Sequence, residues 1–393
     1  MNDSRHGAIR VAALTSGRDV PSARFRVRQH LGRLEALGVG VQEYPLAIDK
    51  HSRPIGWPKS LRPALAGPFF LVWQLFKVGL RVPGLLASHR LDGPRIASEC
   101  LPRALTLEPL AGRPMVFDVD DAIWLGSPAG RSAARYLGRR ASVVVAGNAF
   151  LGEWFREIGA ARVEVVPTGV DSTVYEPRIG GMRSGHFDFT IGWIGTPANL
   201  RYLERLEGPL ASFLSQRPRA RRLVVCSEPP RMRSIAPSQL QFRAWVAEEE
   251  PDVISRMDLG LMPLPDTEWS RGKCAFKMLQ YMSCGVPVLV SPFGMNGEVL
   301  GLGRVGLPAT EDAEWRRALP RRGRWAGAAA TSCDLTSTAP TSLPDSVMCF
   351  AGLPVRAVRS SGAGRAGLPG RLLRQGLGPL PDSLRCRKRI SSR

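Results

Sequence analysis

The chain has 393 residues, of which 44% are hydrophobic and 22% are charged. This balance is near the globular average and excludes a fibre, a wholly disordered chain and a small disulfide scaffold. At about 100–200 residues per domain, the length predicts two or three domains. The formal net charge is +20, which indicates an anionic partner such as a phosphate, an acidic lipid or nucleic acid.

The first elements in the chain predict an α/β domain. An apolar run predicts a strand at 9–14, and helical spacing predicts a helix at 24–37 that ends at Gly38. A second strand is predicted at 39–44. This strand–helix–strand order is typical of a parallel sheet. Further strands are predicted at 115–119, 141–146 and 163–166, with a helix at 149–158.

A second α/β series follows a segment at 172–188 that is rich in Gly, Pro and charged residues and predicts a domain boundary. Strands are predicted at 190–195, 222–226, 240–242, 259–263, 287–291 and 306–309, and helices at 199–215, 273–284 and 313–319. The predicted organisation is therefore an N-terminal domain at 1–180, a second domain at 181–319 and a tail at 320–393.

The tail differs in composition from the rest of the chain. It holds 13 Lys or Arg against 3 Asp or Glu, together with 7 Pro, 9 Gly and 9 Ser, and this composition predicts disorder. Two interpretations remain open: a basic tail that binds phosphate or membrane, or an out-of-frame reading of a GC-rich gene. We favour the second, which implies an aberrant C-terminus.

Cysteines and apolar segments bear on the location of the protein. The seven cysteines form no C-x-x-C pattern, which predicts free thiols in a reducing compartment. The N-terminal apolar run is too short for a secretion signal. The apolar stretch at 68–86 is interrupted by Lys77, Arg81 and Pro83, which predicts a soluble helix, with contact to a membrane surface as an additional option.

A cluster of cations marks the predicted cleft between the two domains, where ligands bind in open α/β folds. Arg271, Lys273 and Lys277 lie in and just after a loop that opens a helix. Cations beside the free amide groups of a helix start can form a diphosphate site. The alternative is a solvated basic face.

Four sequence blocks resemble a known family. The segment 258–299 resembles the nucleotide-sugar-binding half of family 4 glycosyltransferases of the GT-B fold, above all a branch that reads R-G-K-C-x-x-K-x-L-x-Y-M-x-x-G-x-P-V. The other blocks are GWIGTPANLRYL (192–203), VEVVPTGVDSTVYEP (163–177) and FDVDDAIW (117–124). The resemblance implies an α/β, GT-B fold: two Rossmann-like domains facing a cleft, followed here by the disordered tail.

The resemblance also implies a function. The chain is expected to move a sugar from a nucleotide-diphosphate sugar to a glycan or lipid-linked acceptor, as in polysaccharide or cell-envelope biosynthesis. The reaction is expected to retain anomeric configuration and to need no metal and no resident cofactor, because the nucleotide-sugar is a substrate. The expected location is the cytoplasm, with peripheral contact to the inner face of the membrane as an option.

The resemblance assigns donor-side residues. Arg271 and Lys273 are predicted to be catalytic, because they would neutralise the leaving pyrophosphate as charge develops. The turn at Gly195 and Thr196 is expected to approach the diphosphate through backbone N–H groups. The remaining predicted donor-binding residues are Asn199, Trp245, Lys277 and Gln280.

Two positions depart from the family pattern. Gln280 stands where the family usually has a glutamate that holds the ribose hydroxyls, and an amide binds them without charge assistance. Gly272 stands where another glutamate is common. Trp245 is expected either to stack on the nucleobase or to pack as a hinge tryptophan.

Acceptor-side residues are predicted in the first domain. Ser22, Arg24 and Arg26 lie at its first loop–helix junction and are expected to bind an anionic acceptor or to form a solvated basic face. Asp120 and Asp121 follow a strand and are expected to be acceptor-side or helix-capping groups. We assign no metal to the D-x-D pattern at 118–120. Asn148 is expected to cap a helix beside the cleft.

Two other classes remain as alternatives. One is an inactive remnant of such an enzyme with a damaged C-terminus. The other is a basic protein that binds nucleic acid through the tail cluster of Arg385, Arg387, Lys388 and Arg389, without sequence specificity.

Overall fold

The computed structural model describes residues 9–48, 67–91, 93–97, 107–112, 114–177 and 188–319. Within these ranges the chain forms two six-stranded sheets in which every strand pair is parallel. The predicted α/β class is confirmed. The predicted boundary at 180/181 and the tail at 320–393 lie outside the described residues.

The first sheet has the strand order β2-β1-β3-β4-β5-β6. Its strands are β1 (Ile9–Thr15), β2 (Val39–Pro45), β3 (Arg95–Ala97), β4 (Met115–Val119), β5 (Val143–Ala146) and β6 (Val163–Val165). Its helices are α1 (Pro21–Arg26), α2 (Leu31–Ala36), α3 (Gly67–Gly79), α4 (Val82–Ser88), α5 (Pro128–Arg140) and α6 (Ala149–Glu157). The buried faces of β4 and β5 form the centre of this domain's core.

The second sheet has the order β12-β11-β10-β7-β8-β9, which is the doubly wound arrangement with a reversal between its two central strands. Its strands are β7 (Phe189–Ile194), β8 (Ala220–Cys226), β9 (Leu240–Ala244), β10 (Leu259–Met262), β11 (Val288–Val290) and β12 (Gly306–Pro308). Its helices are α7 (Pro197–Glu204), α8 (Glu207–Ser215), α9 (Glu250–Ile254), α10 (Glu268–Arg271), α11 (Phe276–Ser283), α12 (Met295–Leu300) and α13 (Asp312–Ala318).

The helix predicted at 24–37 is wrong as a single element. It begins earlier, at Pro21, and the chain leaves the helical conformation at Val27, whose φ is −124° and ψ −67°. A short 3₁₀ turn at Arg28–His30 then leads into α2. The predicted end at Gly38 is confirmed, because this glycine adopts φ +77° after the last turn.

Two predicted helices in the second domain also need correction. The helix at 199–215 is two helices, since Pro209 has no N–H to donate to the carbonyl of Arg205 and its ring crowds that carbonyl. The helix at 273–284 starts only at Phe276. Ala275 before it has φ +52°, a left-handed conformation that a helix cannot include.

Apolar contacts join the two domains. Phe25 of α1 packs against Phe276 of α11, with ring centroids 4.1 Å apart. One hydrophobic cluster contains buried side chains from both domains, including Phe117 and Val144 of the first sheet and Met278 and Tyr281 of α11. The site between the domains is therefore built on a shared core.

The apolar stretch at 68–86 forms α3 and α4. No helix among the described residues is long and apolar enough to cross a membrane.

Arg222 in the middle of β8 is fully buried in the second domain's sheet. Its Nη1 donates to the carbonyl of Ile191 at 2.8 Å, while its Nε and Nη2 are buried without a hydrogen-bond partner. Burial lowers the pKa of this guanidinium to about 9, because the charged form loses its hydration. The sheet therefore carries an energetic cost at this position.

We expect Arg222→Met to raise the free energy of unfolding by about 1 kcal/mol or more, because it removes a buried, incompletely bonded cation. Urea unfolding measures the change. Arg219→Met is the control, since Arg219 forms an exposed ion pair with Asp188 and such pairs contribute little. Destabilisation by Arg222→Met would show that the cation contributes to stability.

Candidate functional site

The point where the strand order of the second sheet reverses is the candidate ligand site. In open α/β sheets, ligands bind outside the carboxyl ends of the strands at this point. β7 and β10 are the two strands at the reversal. Gly195 and Thr196 directly follow β7. After β10, Arg271 ends α10, and Lys273 lies between α10 and α11. The structure thus places these four predicted donor-side residues in the segments that follow the two central strands.

The turn after β7 is fixed by close packing. A side chain at Gly195 would overlap the indole ring of Trp193, so only glycine fits there. The Gly195 N–H donates to the carbonyl of Val225, so Gly195 shapes the turn, and its N–H does not have the predicted role of a donor to the diphosphate. Thr196 occupies the N-cap position of α7, and the Asn199 amide donates to its hydroxyl at 3.3 Å. Thr196 is exposed and belongs to the open part of this turn.

Lys273 is the cation at the centre of the contact between the domains. Its Nζ lies 2.7 Å from Oδ1 of Asp121 in the first domain and 4.7 Å from the ring centroid of Trp269. Burial lowers the pKa of Lys273, but the Asp121 carboxylate outweighs burial, so the net pKa is raised. Lys273 therefore carries its charge throughout the neutral pH range, and the predicted donor cation and acceptor-side carboxylate form an ion pair.

Arg271 is more exposed than Lys273. Its Nη2 lies 3.1 Å from Asp266, and both side chains are about half exposed. Arg271 also lines an open cavity of about 320 Å³, a size at the lower end of ligand pockets. Side chains from both domains line this cavity, among them Asn148, Phe150, Phe293 and Glu298.

Asn148 holds the cation loop against the first domain. Its Oδ1 accepts from the Leu151 N–H at 2.9 Å, which caps α6 as predicted. Its Nδ2 donates to the backbone carbonyls of Arg271 at 3.2 Å and Lys273 at 3.1 Å. One buried amide therefore fixes the start of a helix in one domain and the backbone of both predicted catalytic residues in the other.

The loop approaches the first domain too closely for a side chain at Gly272. An added Cβ there would lie 2.7 Å from Cβ of Ala122. The glutamate that the resembled family often has at this position would not fit in this arrangement. Next to it, the Cys274 thiol is buried and donates to the carbonyl of Asp120 at 3.2 Å.

A second polar cluster, here called the Glu250 cluster, consists of five residues from both domains. They are Arg24, Tyr175, Glu250, Lys277 and Gln280. Arg24 was predicted on the acceptor side, and Lys277 and Gln280 on the donor side. The structure brings all three together around one buried carboxylate, that of Glu250.

Trp245 lies beside this cluster. Its ring centroid is 5.2 Å from the guanidinium carbon of Arg24, a cation–π contact between the two domains. Its side chain also packs against the shared hydrophobic cluster. The structure therefore places Trp245 at the domain contact, next to the predicted nucleotide-binding residues.

The remaining acceptor-side residues differ in their surroundings. Arg26 donates to Asp118 from its Nε and to the carbonyl of Val166 from its Nη1, and its side chain is nearly buried. Ser22 and Asp120 are partly exposed. Within the described part of the chain, no group of three or more His, Cys, Asp or Glu could hold a metal ion.

Sequence reasoning missed Glu250 and Tyr175. Tyr175 belongs to one of the quoted blocks, but its hydroxyl contacts Glu250 and Gln280 from far along the chain. Glu250 ends the run Glu248–Glu250, which has the composition of a solvated acidic segment. No local signal distinguishes it, because its burial depends on Arg24, which is 226 positions away.

No protein-family model and no curated protein matches the sequence. Solved structures do match. Anabaena Alr3699/HepE in complex with UDP and glucose gives a TM-score of 0.58 at 17% identity, over 83% of this chain and 94% of its own. WaaG, a glycosyltransferase involved in lipopolysaccharide biosynthesis, gives a TM-score of 0.59 at 13% identity, over 86% of this chain and 97% of its own. Sucrose-phosphate synthase from Thermosynechococcus elongatus gives a TM-score of 0.55 at 13% identity, over 83% of this chain and 93% of its own.

Similarity at these identities shows the fold. The neighbours are GT-B glycosyltransferases, and both of this chain's parallel sheets take part, because more than four-fifths of its length is covered. The chain therefore has the GT-B fold, with two Rossmann-like domains that face each other across the candidate site.

Proposed function

We propose that this protein is a glycosyltransferase that moves a sugar from a nucleotide-diphosphate sugar to a glycan or lipid-linked acceptor. The observation that carries the proposal is the position of Arg271 and Lys273. They follow a central strand at the reversal of the second sheet, and Asn148 fixes their backbone carbonyls. Two cations at this point suit the diphosphate of a donor.

In the proposed reaction, the bond between the anomeric carbon and the diphosphate oxygen breaks, and nucleoside diphosphate leaves with additional negative charge. The acceptor hydroxyl oxygen forms the new bond and gives up its proton. Arg271 and Lys273 would stabilise the charge on the leaving group. This role needs no metal, and we propose retention of anomeric configuration from the family resemblance.

The donor-side proposal includes Gly195, Thr196 and Asn199 at the turn after β7. Lys277, Gln280 and Trp245 complete it on the nucleotide side. Arg24 contacts Trp245 and the Glu250 cluster, so we assign it to the domain contact as well as to the acceptor side. The remaining acceptor-side proposals are Ser22, Arg26, Asp120 and Asp121.

The test is release of nucleoside diphosphate by the full chain from UDP-, GDP- and ADP-sugars, with and without lipid and glycan acceptors. We expect release from one nucleotide class, stimulated by an acceptor and unaffected by a chelator. NMR of the product would give its anomeric configuration. A folded chain that releases nucleoside diphosphate from none of these donors would contradict the proposal, and loss of activity with chelator would contradict metal independence.

We further propose that the protein lies in the cytoplasm at the inner face of the membrane. A surface here called the apolar face supports this. It consists of Val72, Leu75, Phe76, Val82 and Leu86 on α3 and α4, which are between 40% and 65% exposed. Lys77 of α3 and Arg81, which precedes α4, are buried instead. Exposed apolar patches mark interaction sites, and the net charge of +20 favours an anionic lipid surface.

Co-sedimentation with vesicles that contain anionic lipid tests this surface. We expect Leu75→Glu combined with Leu86→Glu to weaken binding at least about tenfold, because both side chains would enter the interface. Leu37→Glu is the matched control, since Leu37 is also an exposed leucine of the first domain outside the apolar face. Equal binding by both variants would contradict the membrane contact.

A further inference from the structure

Glu250 is buried although it belongs to a run of three glutamates. It opens α9, and its side chain is 1% exposed. Burial alone would raise the pKa of its carboxyl. The positive charges of Lys277 and Arg24 have a larger, opposite effect, so the net pKa is below its usual range. The Glu250 cluster is thus organised around an ionised carboxylate in a buried position. Such a charge is costly unless it is well paired.

The partners of this carboxylate come from both domains. Oε2 accepts from Nη1 of Arg24 at 3.1 Å and from the Tyr175 hydroxyl at 2.9 Å. Oε1 lies 3.3 Å from Nζ of Lys277. Arg24 belongs to α1 of the first domain, and Lys277 belongs to α11 of the second. The carboxylate therefore joins a cation of one domain to a cation of the other.

Gln280 contacts two of the residues that bind Glu250, namely Lys277 and Tyr175. Its Oε1 accepts from Lys277 Nζ at 3.0 Å, and its Nε2 donates to the Tyr175 hydroxyl at 2.9 Å. Glu250 and Gln280 thus share Lys277 and Tyr175. Either position could carry the negative charge of the cluster while keeping contact with both.

Exposure separates the cations from the groups that hold them. The side chains of Arg24 and Lys277 are 19% and 24% exposed, whereas Glu250 and Gln280 are buried. The two cations reach solvent at the domain contact, and the carboxylate supports them from the protein interior. An anion that enters between the domains would meet both cations.

We propose that Glu250 is a positioning residue for the donor: it holds Arg24 and Lys277, one from each domain, so that both face the nucleotide-sugar and the domains close around it. This inference rests on the proposed function. Glu250 itself touches the cations and not the donor. The chemistry of the leaving group remains with Arg271 and Lys273.

The test compares Glu250→Gln with the full-length wild-type chain in steady-state release of nucleoside diphosphate. We expect KM for the donor to rise about tenfold or more, because charge-assisted contacts that hold the two cations are lost. We expect kcat to change by less than about threefold, because the leaving-group cations are untouched. Glu249→Gln is the control, since Glu249 is the next residue in the chain and its carboxylate pairs with Arg243 at the surface.

The decisive variant transposes the charge. Glu250→Gln combined with Gln280→Glu returns a carboxylate to Lys277 and Tyr175 but leaves Arg24 without one, so we expect it to recover part of the lost donor affinity. If Glu250→Gln alone fails to fold, the transposed variant must recover folding and donor affinity together. Recovery of folding without donor affinity would overturn the positioning role.

Three further results would overturn the inference. A KM for Glu250→Gln equal to that of the wild type overturns the inference while the proposed function stands. A lower KM would show that the carboxylate competes with the donor, which also overturns it. A wild-type chain that is folded but inactive with every donor overturns the proposed function, and the inference with it.

Discussion

Lys273→Met is expected to lower the rate of nucleoside diphosphate release about 100- to 1000-fold, the usual effect of removing one preorganised group that stabilises transition-state charge. Lys273 is suited to this role because its Nζ is fixed by Asp121 and by the ring of Trp269. The measurement is kcat with a saturating nucleotide-sugar, together with donor affinity by calorimetry.

Two controls separate the cation from the ion pair. Asp121→Asn removes the pair but keeps the cation, so we expect it to bind the donor more tightly than Lys273→Met does. Arg233→Met removes an exposed cation elsewhere in the second domain and is expected to change neither quantity. Equal donor affinity in Asp121→Asn and Lys273→Met would show that donor binding depends on the ion pair between the domains and not on the Lys273 charge.

Glu108→Ala is expected to cause the largest loss of stability, about 3–5 kcal/mol in the free energy of unfolding, because it leaves the Arg81 charge buried without its carboxylate. Arg81 Nε donates to Glu108 Oε1 at 2.8 Å, and both side chains are buried. Arg81 also donates to the carbonyls of Thr15 and Tyr44 at the ends of β1 and β2, so the pair supports the first sheet.

Urea unfolding followed by tryptophan fluorescence measures this loss. Glu108→Gln is expected to lose less than Glu108→Ala, because its amide oxygen can still accept from Arg81. Glu153→Ala is the control, since the Glu153–Arg156 pair lies on the surface and contributes about 0–1 kcal/mol. If Glu108→Ala lost no more than this control, the buried pair would not stabilise the domain.

Most strands could be predicted closely from the sequence because each is a short apolar run that ends at small or polar residues. The exception is β3, which has only three residues, starts with an arginine and was not predicted. β4 was predicted at its observed bounds, and β7 and β11 within one residue at each end. Helices were less predictable where a single residue changes the backbone. Pro209 and Ala275 alter the path of the chain by steric effects, which the apolar spacing around them does not reveal.

The candidate site could be predicted in part. Arg271, Lys273 and Gly195 were predicted from cations near a helix start and from the family resemblance, and the structure places them after the two central strands of the second sheet. Their partners could not be predicted. Asp121 and Lys273 are 152 positions apart, and their contact depends on how the two domains pack. The same applies to Glu250, whose burial depends on Arg24 of the other domain.

Thermal unfolding of the full-length chain with UDP-, GDP- and ADP-sugars tests the proposed donor site most directly. A ligand at 100 times its Kd should stabilise the protein by about 2.7 kcal/mol. We expect one nucleotide class to raise the midpoint and Lys273→Met to remove the shift. A cooperative transition that none of these donors moves would contradict the claim that the reversal of the second sheet is a nucleotide-sugar site.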